Sequence, residues 1–533
     1  MVLSVDEIRQ ATKQITSSGD RKQYNKILRL VGQYEQISGL EETKFFEIES
    51  NLRFLTLSLK QIFTKFFKLG QLNPSLASND NEKQLFLWCR KVYGSFKARL
   101  LEVISSTRFE NSLALDCLDV YIQLLELESI YFASKPEAAF FPNKTLKALI
   151  AALFQSSIPQ SIDAATGHST DPVLQEFSDK YYQKFVDLQY YFQAELSNLI
   201  RDGTLDKLDH SQLLAKWLSL VNHDNHYSSA EAELDMYVPQ PPQAMESETQ
   251  FKANLEQNYL WFLGRDGLLN CQYKTLLLIL HKRIIPHFAT PTKLMDFLTD
   301  SYDVGNGVIS ILALNGLFEL MRRYNLEYPN FYVKLYQLVT VDLMHVKYRS
   351  RFIRMTDLFL SSTHISAGLV ASFIKRFARL TLDSPPSAII SVIPLVYNLI
   401  KRHPSCMVML HDPDFMTHPF ATPEELALLK QRKSDYKDPF DMNEPNPEHT
   451  RAIESSLWEL ASLTNHYHPN IATLAKIFSQ PFKKPSYNLE DFLDWTYDSL
   501  LKAETTKKIK VLPALEFEEM GQLFGTYIEG VQW

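Results

Sequence analysis

The sequence predicts an all-α protein, an α-solenoid of HEAT-like stacked helix pairs arranged in two arrays. Apolar residues recur at helical spacing in one segment after another, and the connectors between segments are short and rich in Ser, Asn, Asp and Pro. No run alternates apolar and polar residues over several strands. Sixteen glycines in 533 residues are too few for the phosphate loops and tight strand-to-helix turns of a nucleotide-binding α/β fold.

The first two helices are expected within 6–37, parted by Ser17-Ser18-Gly19-Asp20, where Asp20 can cap the second. Its stripe is Tyr24, Ile27, Leu28, Leu30 and Val31. The segment 45–69 carries too many apolar faces for a lone surface helix, and further helices are expected at 84–104, 111–131, 143–154, 173–200 and 205–221. No fixed-period repeat signature accompanies them, so the HEAT-like label rests on helix density.

Composition shifts between 222 and 250, where Asp224, Glu231, Glu233, Asp235, Glu246 and Glu248 surround Val238-Pro239-Gln240-Pro241-Pro242-Gln243. Proline cannot donate to a helix ladder, so this stretch reads as a linker or long surface loop. It divides the chain into an N-terminal array, 1–221, and a C-terminal array, 251–533. The second array resumes with helices at 251–262, 267–285, 291–298 and 304–324, with further ones at 350–361, 365–380 and 386–402. The apolar run 388–400 is about a dozen residues and contains Pro394 and Asn398, which suits a buried helix and not a bilayer span. A proline-rich loop, 411–450, holds one helical stretch at 424–431, and helices return at 448–463 and 470–477.

An apolar fraction of 45% with 12% aromatics suffices for a sizeable core. The net charge of −7 supplies no whole-chain attraction to nucleic acid or to an anionic membrane, so any RNA contact must be local. Cys89, Cys117, Cys271 and Cys406 lie far apart without zinc-ligand spacing and read as free thiols of a reducing compartment. The first residues have neither the basic nor the apolar region of a secretory signal. No nucleoside-triphosphate loop, H-E-x-x-H or G-x-S-x-G occurs, so nothing in the sequence recommends an enzyme or a cofactor.

His466 and His468 flank Tyr467 at a spacing that points two helical side chains roughly 200° apart, whereas helical zinc pairs use i, i+4. With Pro469 following, they are expected to close one helix, their imidazoles bonding exposed carbonyls. Asp438 and Asp441 bracket Pro439 and Phe440, a pattern for a turn in which carboxylates accept from backbone amides. Trp458 reads as a mid-helix core residue or, if exposed, as an interface anchor. Lys347, Arg351 and Arg354 would share one face of an unbroken helix, with Arg349 beside them, and Lys375, Arg376 and Arg379 span one turn. Both clusters are candidates for a partner or RNA surface, against the plainer reading of a solvated face.

The block from about 304 to 482 resembles the CCAAT-binding-factor domain family of nucleolar complex proteins. Its parts are Leu317-Phe318-Glu319-Leu320 with Tyr328-Pro329-Asn330-Phe331-Tyr332, then Lys375-Arg376-Phe377-Ala378-Arg379-Leu380 and Ile400-Lys401-Arg402-His403-Pro404. It closes on Asp438-Pro439-Phe440-Asp441, Ser455-Ser456-Leu457-Trp458-Glu459-Leu460 and His466-Tyr467-His468-Pro469. The length, Asp20-Arg21-Lys22-Gln23-Tyr24-Asn25 and Asn51-Leu52-Arg53-Phe54-Leu55 are similar to the family member acting with small-subunit precursors. The larger members carry long charged extensions that this sequence lacks. The resemblance implies a non-catalytic assembly factor of the nucleus and nucleolus, working in the small-subunit processome. It also implies a stable heterodimer, through the C-terminal half, with a nucleolar partner protein of the Nop-fourteen type. Other processome proteins would be contacted, pre-rRNA indirectly, and no membrane. Two rival readings are a direct pre-rRNA-binding protein and a helical-repeat adaptor in transport.

Overall fold

Amphipathic helices must bury their apolar faces on neighbours, and in the first part of this chain several do so on the helix two further on, some also on the next. In the computed structural model Glu42–Lys68 packs on Val5–Ser17 and Ser112–Tyr131, and Asp80–Ser106 packs on Ser112–Tyr131 and Asn143–Gln155. Asn143–Gln155 meets Val186–Arg201, which meets Glu248–Leu263. This every-second-helix contact is the packing of a stacked array, in which each unit stabilises only its neighbours. The structure describes residues 3–17, 21–36, 42–74, 77, 79–106, 109–133, 139–156, 162–227, 234–239, 242, 247–265, 267–304, 307–412, 415–418 and 421–508. Asp20, the expected cap, lies outside them, as do Glu231, Glu233, Pro241 and Glu246. Among the described residues there is no strand, only isolated bridges at Ile162–Ser169 and Phe185–Asp235.

The chain forms two compact units, Met1–Tyr328 and Pro329–Trp533. The division falls at 328/329 and not in the 222–250 segment, for a physical reason. Asp187, fully buried, accepts from the Tyr237 and Val238 amides at 3.1 and 2.8 Å, while Val186 N–H donates to the Asp235 carbonyl at 2.9 Å. Those bonds fasten part of the expected linker onto the first unit. They also break the helix expected over 173–200 into Pro172–Phe177, a π-turn at Ser178–Tyr182 and Val186–Arg201, because residues 184–186 pair with Asp235 instead of continuing the helix.

Polar groups inside the first unit are matched to backbone ends. Lys216, almost wholly buried, donates to the carbonyls of Leu153, Phe154 and Ser156 at 2.8, 3.1 and 3.3 Å, closing the C-terminus of Asn143–Gln155. Glu128 accepts from Tyr93 and Lys97, both at 2.6 Å. Gly316 lets Gly307–Tyr324 approach its neighbours closely, since a Cβ there would sit 2.7 Å from Leu280 and 2.8 Å from Leu298. Cys89, Cys117 and Cys406 are buried and Cys271 is half-buried, all as free thiols, and burial pushes Cys89 up to about 12.

The second unit is built around Pro386–Arg402, a helix apolar on every side and buried from Ser387 to Ile400. Arg349–Phe359, Ala367–Leu380, Pro469–Ala475 and Glu490–Leu493 pack about it. Its few polar side chains bind the backbone that wraps it. Asn398 exchanges two bonds with Tyr487 at 2.9 and 2.8 Å, Tyr397 donates to the Lys484 carbonyl and Ser391 to that of Phe492. No described helix is long and apolar enough to cross a membrane.

Asp187→Ala strands the buried Val238 amide and the part-buried Tyr237 amide, so urea unfolding of the first unit should shift by about 3 kcal/mol, and protease cleavage between 228 and 246 should accelerate. A second expectation concerns pH. His223, His226 and His287 are buried with ring centroids 4.4 and 4.6 Å apart, facing Tyr182, Asp224, Glu248, Lys252, Lys282 and Arg283. Burial, followed by Arg283 and the neighbouring imidazoles, holds His223 at about 4 and His226 at about 2, and burial with Lys252 holds His287 at about 4. Folded values below the unfolded one mean that stability is fully present above pH about 6.5 and is lost as pH falls toward 4. The loss should approach roughly 1.4 kcal/mol per pH unit for each imidazole protonated only on unfolding, read by denaturant titration at a series of pH values.

Candidate functional site

Ala367–Leu380 begins at Ser366, whose hydroxyl accepts from the Leu369 amide, and its apolar face joins the core around Pro386–Arg402. Ser372, Lys375, Arg376 and Arg379 follow one another at helical spacing along another face. That face is covered, because the irregular chain from 436 to 459 is bonded to it along its length. Ser372 meets the Thr450 hydroxyl at 2.6 Å, Arg376 donates to the carbonyls of Val339 and Met442 at 2.6 and 3.2 Å, and Lys375 donates to the Ser456 carbonyl at 2.6 Å.

At the centre two cations meet two carboxylates. Lys375 and Glu459, both 0% exposed, pair at 2.7 Å, and Lys375 lies 3.1 Å from Asp438. Arg379 bridges the same pair, to Glu459 at 2.7 Å and Asp438 at 2.6 Å. Opposite charges in equal number make burial tolerable, since each desolvated ion has a partner at contact distance. Asp438 also accepts from the Phe440 amide at 3.1 Å, the Ser455 hydroxyl at 2.5 Å and the Trp458 indole N–H at 3.1 Å. Burial alone would push this carboxyl up, but Ser455, Trp458, the Phe440 amide and Lys375 outweigh it and hold it at about 2. Asp441 accepts from the Asn443 amide at 2.9 Å, so Pro439 and Phe440 stand between two aspartate turns.

The network alters several expectations. Lys375 is buried and Arg376 and Arg379 are half-buried, and their charge or donors are engaged by Glu459, Asp438 and backbone carbonyls, where the sequence suggested an open stripe. The helix expected over 448–463 is absent. Arg451 is left-handed (φ 56°), Ala452–Glu454 is a 3-10 turn and the α-helix is only Trp458–Ser462, because the bonds from Asp438 to Ser455 and from Leu457 N–H to the Met409 carbonyl pull the backbone off helical geometry. Trp458 opens that helix and is 42% exposed, with the Arg379 guanidinium 5.0 Å from its ring.

The stripe through Lys347 to Arg354 is likewise not one face. Lys347 lies in a turn before Arg349–Phe359 and is exposed, whereas Arg349 is buried and donates to the Met344 carbonyl at 2.6 Å. Arg354 is held bidentately by Glu490, both bonds 2.6 Å, and Arg351 is half-buried. His466 does not bond a carbonyl; its Nδ1 accepts from the His468 amide at 3.0 Å, and Pro469 opens the next helix. Among the described residues no group of His, Cys, Asp or Glu is placed to hold a metal ion.

Tyr467, 79% exposed with its ring 4.3 Å from that of His466, stands at the tip of this turn. Beside Trp458 opens a cavity of about 430 Å³, lined by Met409, Leu457, Leu460, Ala461, Ala475 and Phe478 among others. Sequence reasoning missed Ser372 and Thr450, the bond that Ser455 gives Asp438, and the role of Met409 and Phe478 as walls. The polar stripe on an otherwise apolar helix was a visible signal, but its partners lie 37 to 84 residues away.

Lys375→Met leaves Glu459 buried with one cation fewer, and the second unit should lose about 3–5 kcal/mol in denaturant unfolding, whereas Lys347→Ala should leave it unchanged. Asp438, depressed below its unfolded value, contributes stability that is present above pH about 4 and lost as pH falls through about 2. Asp438→Asn should remove that acid limb from a circular dichroism titration.

Two family models match the chain: Nucleolar complex protein 4-like, TPR repeats, over 4–204, and the CBF/Mak21 family over 310–475. The first describes as TPR repeats the helix pairs that helix density had labelled HEAT-like, and the second falls inside the 304–482 block. The chain is 56% identical to Nucleolar complex protein 4 of Saccharomyces cerevisiae over 100% of both proteins. It is 32% identical to the Nucleolar complex protein 4 homolog of Gallus gallus over 95% of each, and 35% identical to that of Homo sapiens over 82% of this chain and 80% of the human one. These are helical-repeat nucleolar proteins and not a known class of enzymes. A helical-repeat match over 4–204, a CBF/Mak21 match over 310–475 and relatives 32 to 56% identical over 82 to 100% of the chain show that it belongs to the nucleolar complex protein 4 family and is a nucleolar protein.

Proposed function

We propose that this nucleolar factor of ribosome biogenesis is a non-catalytic scaffold of the small-subunit processome, acting in pre-rRNA maturation through a stable complex with a partner protein of the Nop-fourteen type. The observation that carries this reading is the exposed Trp458 on the wall of a cavity in the second unit, with the exposed Tyr467 on the turn that follows. Trp458 stands exposed on the wall of a depression of about 430 Å³, on a backbone held by the Lys375–Glu459–Arg379–Asp438 network, and the exposed Tyr467 follows nine residues further along the chain. Aromatic anchors next to a pocket are the usual centre of a protein interface. A rigid underlay lowers the ordering entropy that association must overcome.

The same charge distribution speaks against phosphate binding as the main task of this unit. Of the seven cations proposed for it, Arg349, Lys375 and Arg376 are spent on backbone carbonyls or buried partners, and Arg354 and Arg379 on carboxylates. Pre-rRNA is then reached chiefly through the partner and neighbouring processome proteins, many modest contacts adding through effective concentration.

The test is co-purification of the tagged full chain, wild type and Tyr467→Ala, with identification of bound proteins and RNA. Wild type should retain one stoichiometric nucleolar partner together with small-subunit processome proteins. Tyr467→Ala should lose that partner by at least about ten-fold, a hot-spot effect near 2 kcal/mol, with unchanged thermal unfolding. Recovery of large-subunit precursors or transport components instead would overturn the assignment.

A further inference from the structure

One helix of the second unit is built unlike the rest. Pro423–Asp435 has a complete capping box, Thr422 with Glu425, and yet buries none of its residues. A 13-residue helix on its own is marginal in water, since helices in proteins depend on tertiary packing of an apolar face. This one has such a face and nothing on it among the described residues. Leu428 is 56% and Met416 60% exposed, and with Leu426 and Leu429 they line an open depression of about 400 Å³ that ends at Arg432.

Charge adds a second mark. Between 430 and 437 stand Lys430, Arg432, Lys433 and Lys437 against the single carboxylate Asp435. None of these four cations makes an ion pair among the described residues, in a unit where other basic side chains are paired at contact distance. The occupant that fits is therefore apolar along one side and acidic along another.

The chain contains such a segment in the same unit, beyond the described residues. From Val511 to Trp533 there are four glutamates, Glu516, Glu518, Glu519 and Glu529, and no Lys or Arg. Its apolar residues Phe517, Met520, Phe524, Tyr527, Ile528 and Val531 recur at the three-and-four spacing of a helix face. Reach sets no obstacle, because two dozen residues can span up to about 80 Å.

We infer that the acidic C-terminal segment 511–533 docks on the Pro423–Asp435 helix, its apolar residues covering Leu426, Leu428, Leu429 and Met416 and its glutamates meeting Lys430, Arg432 and Lys433. Docking in cis gives the segment a high effective concentration, so modest contacts suffice. It also explains why a helix with no buried residue carries an apolar face and unpaired cations.

Hydrogen–deuterium exchange on the full-length protein tests this against a chain ending at Lys510. The amides of 424–435 should exchange at least about ten-fold faster once the tail is removed, with 367–402 unchanged as an internal control. Reversing Lys430, Arg432 and Lys433 to Glu in the full chain should reproduce the loss, and adding Glu516→Lys, Glu518→Lys and Glu519→Lys should restore protection. All these positions lie on the exposed helix or the tail, so folding of the core is not at stake. Identical exchange with and without the tail would overturn the inference. So would protection that rises with protein concentration, which assigns the face to a second copy, or protection seen only when a co-purified partner is bound.

Discussion

The contact on which the second unit depends is the buried pair of Lys375 and Glu459, extended by Arg379 and Asp438. Most of the chain between 436 and 459 is irregular, and side-chain bonding from Ala367–Leu380, together with a few backbone bonds such as Leu457 N–H to the Met409 carbonyl, holds it in one conformation. Two fully buried opposite charges repay their desolvation only when every remaining donor and acceptor is satisfied. Here the Ser456 carbonyl, Ser455, the Trp458 indole and the Phe440 amide complete the set. The arrangement leaves one geometry for the backbone, and that geometry presents Trp458 at the start of the short helix that leads on to Tyr467.

This explains a division of labour between the two units. The first unit is an array in which each helix stabilises its neighbours, and its polar interior, such as Lys216 on the end of Asn143–Gln155, satisfies backbone groups. The second is organised about one wholly buried helix, Pro386–Arg402, with irregular chain bonded over it. Arrays of the first kind make extended surfaces, whereas a bolted loop makes a small and stiff one. A scaffold of the kind proposed uses both.

Most of the helices were legible in the sequence because their signal is local. Apolar spacing and flanking Ser, Asn, Asp and Pro locate Asp80–Ser106, Ser112–Tyr131, Asn143–Gln155 and Pro386–Arg402 to within a few residues at each end. The failures share one cause, bonds between residues far apart in sequence. The break at 183–185 exists because Asp235 pairs there, and the loss of helix over 448–457 because Asp438, Lys375 and Met409 claim that backbone. Charge shows the same limit. Lys375, Arg376 and Arg379 look like a solvated face when only the helix is read, and the carboxylates and carbonyls that engage them can be assigned only once the chain has folded back. Asp438 and Asp441 were readable as turn formers because an aspartate turn is completed within two or three residues.

The central claim is that the buried network shapes the partner face and is more than a stabiliser of the unit. A double-mutant cycle in partner binding, with Lys375→Met and Tyr467→Ala alone and combined in the full chain, measures this most directly, since the two side chains occupy separate places and act together only through the backbone between them. The account predicts strong non-additivity, the second substitution adding little once the first has been made, whereas unrelated sites add to within about 0.5 kcal/mol. Simple additivity would contradict it, and would leave the network as a feature of stability alone.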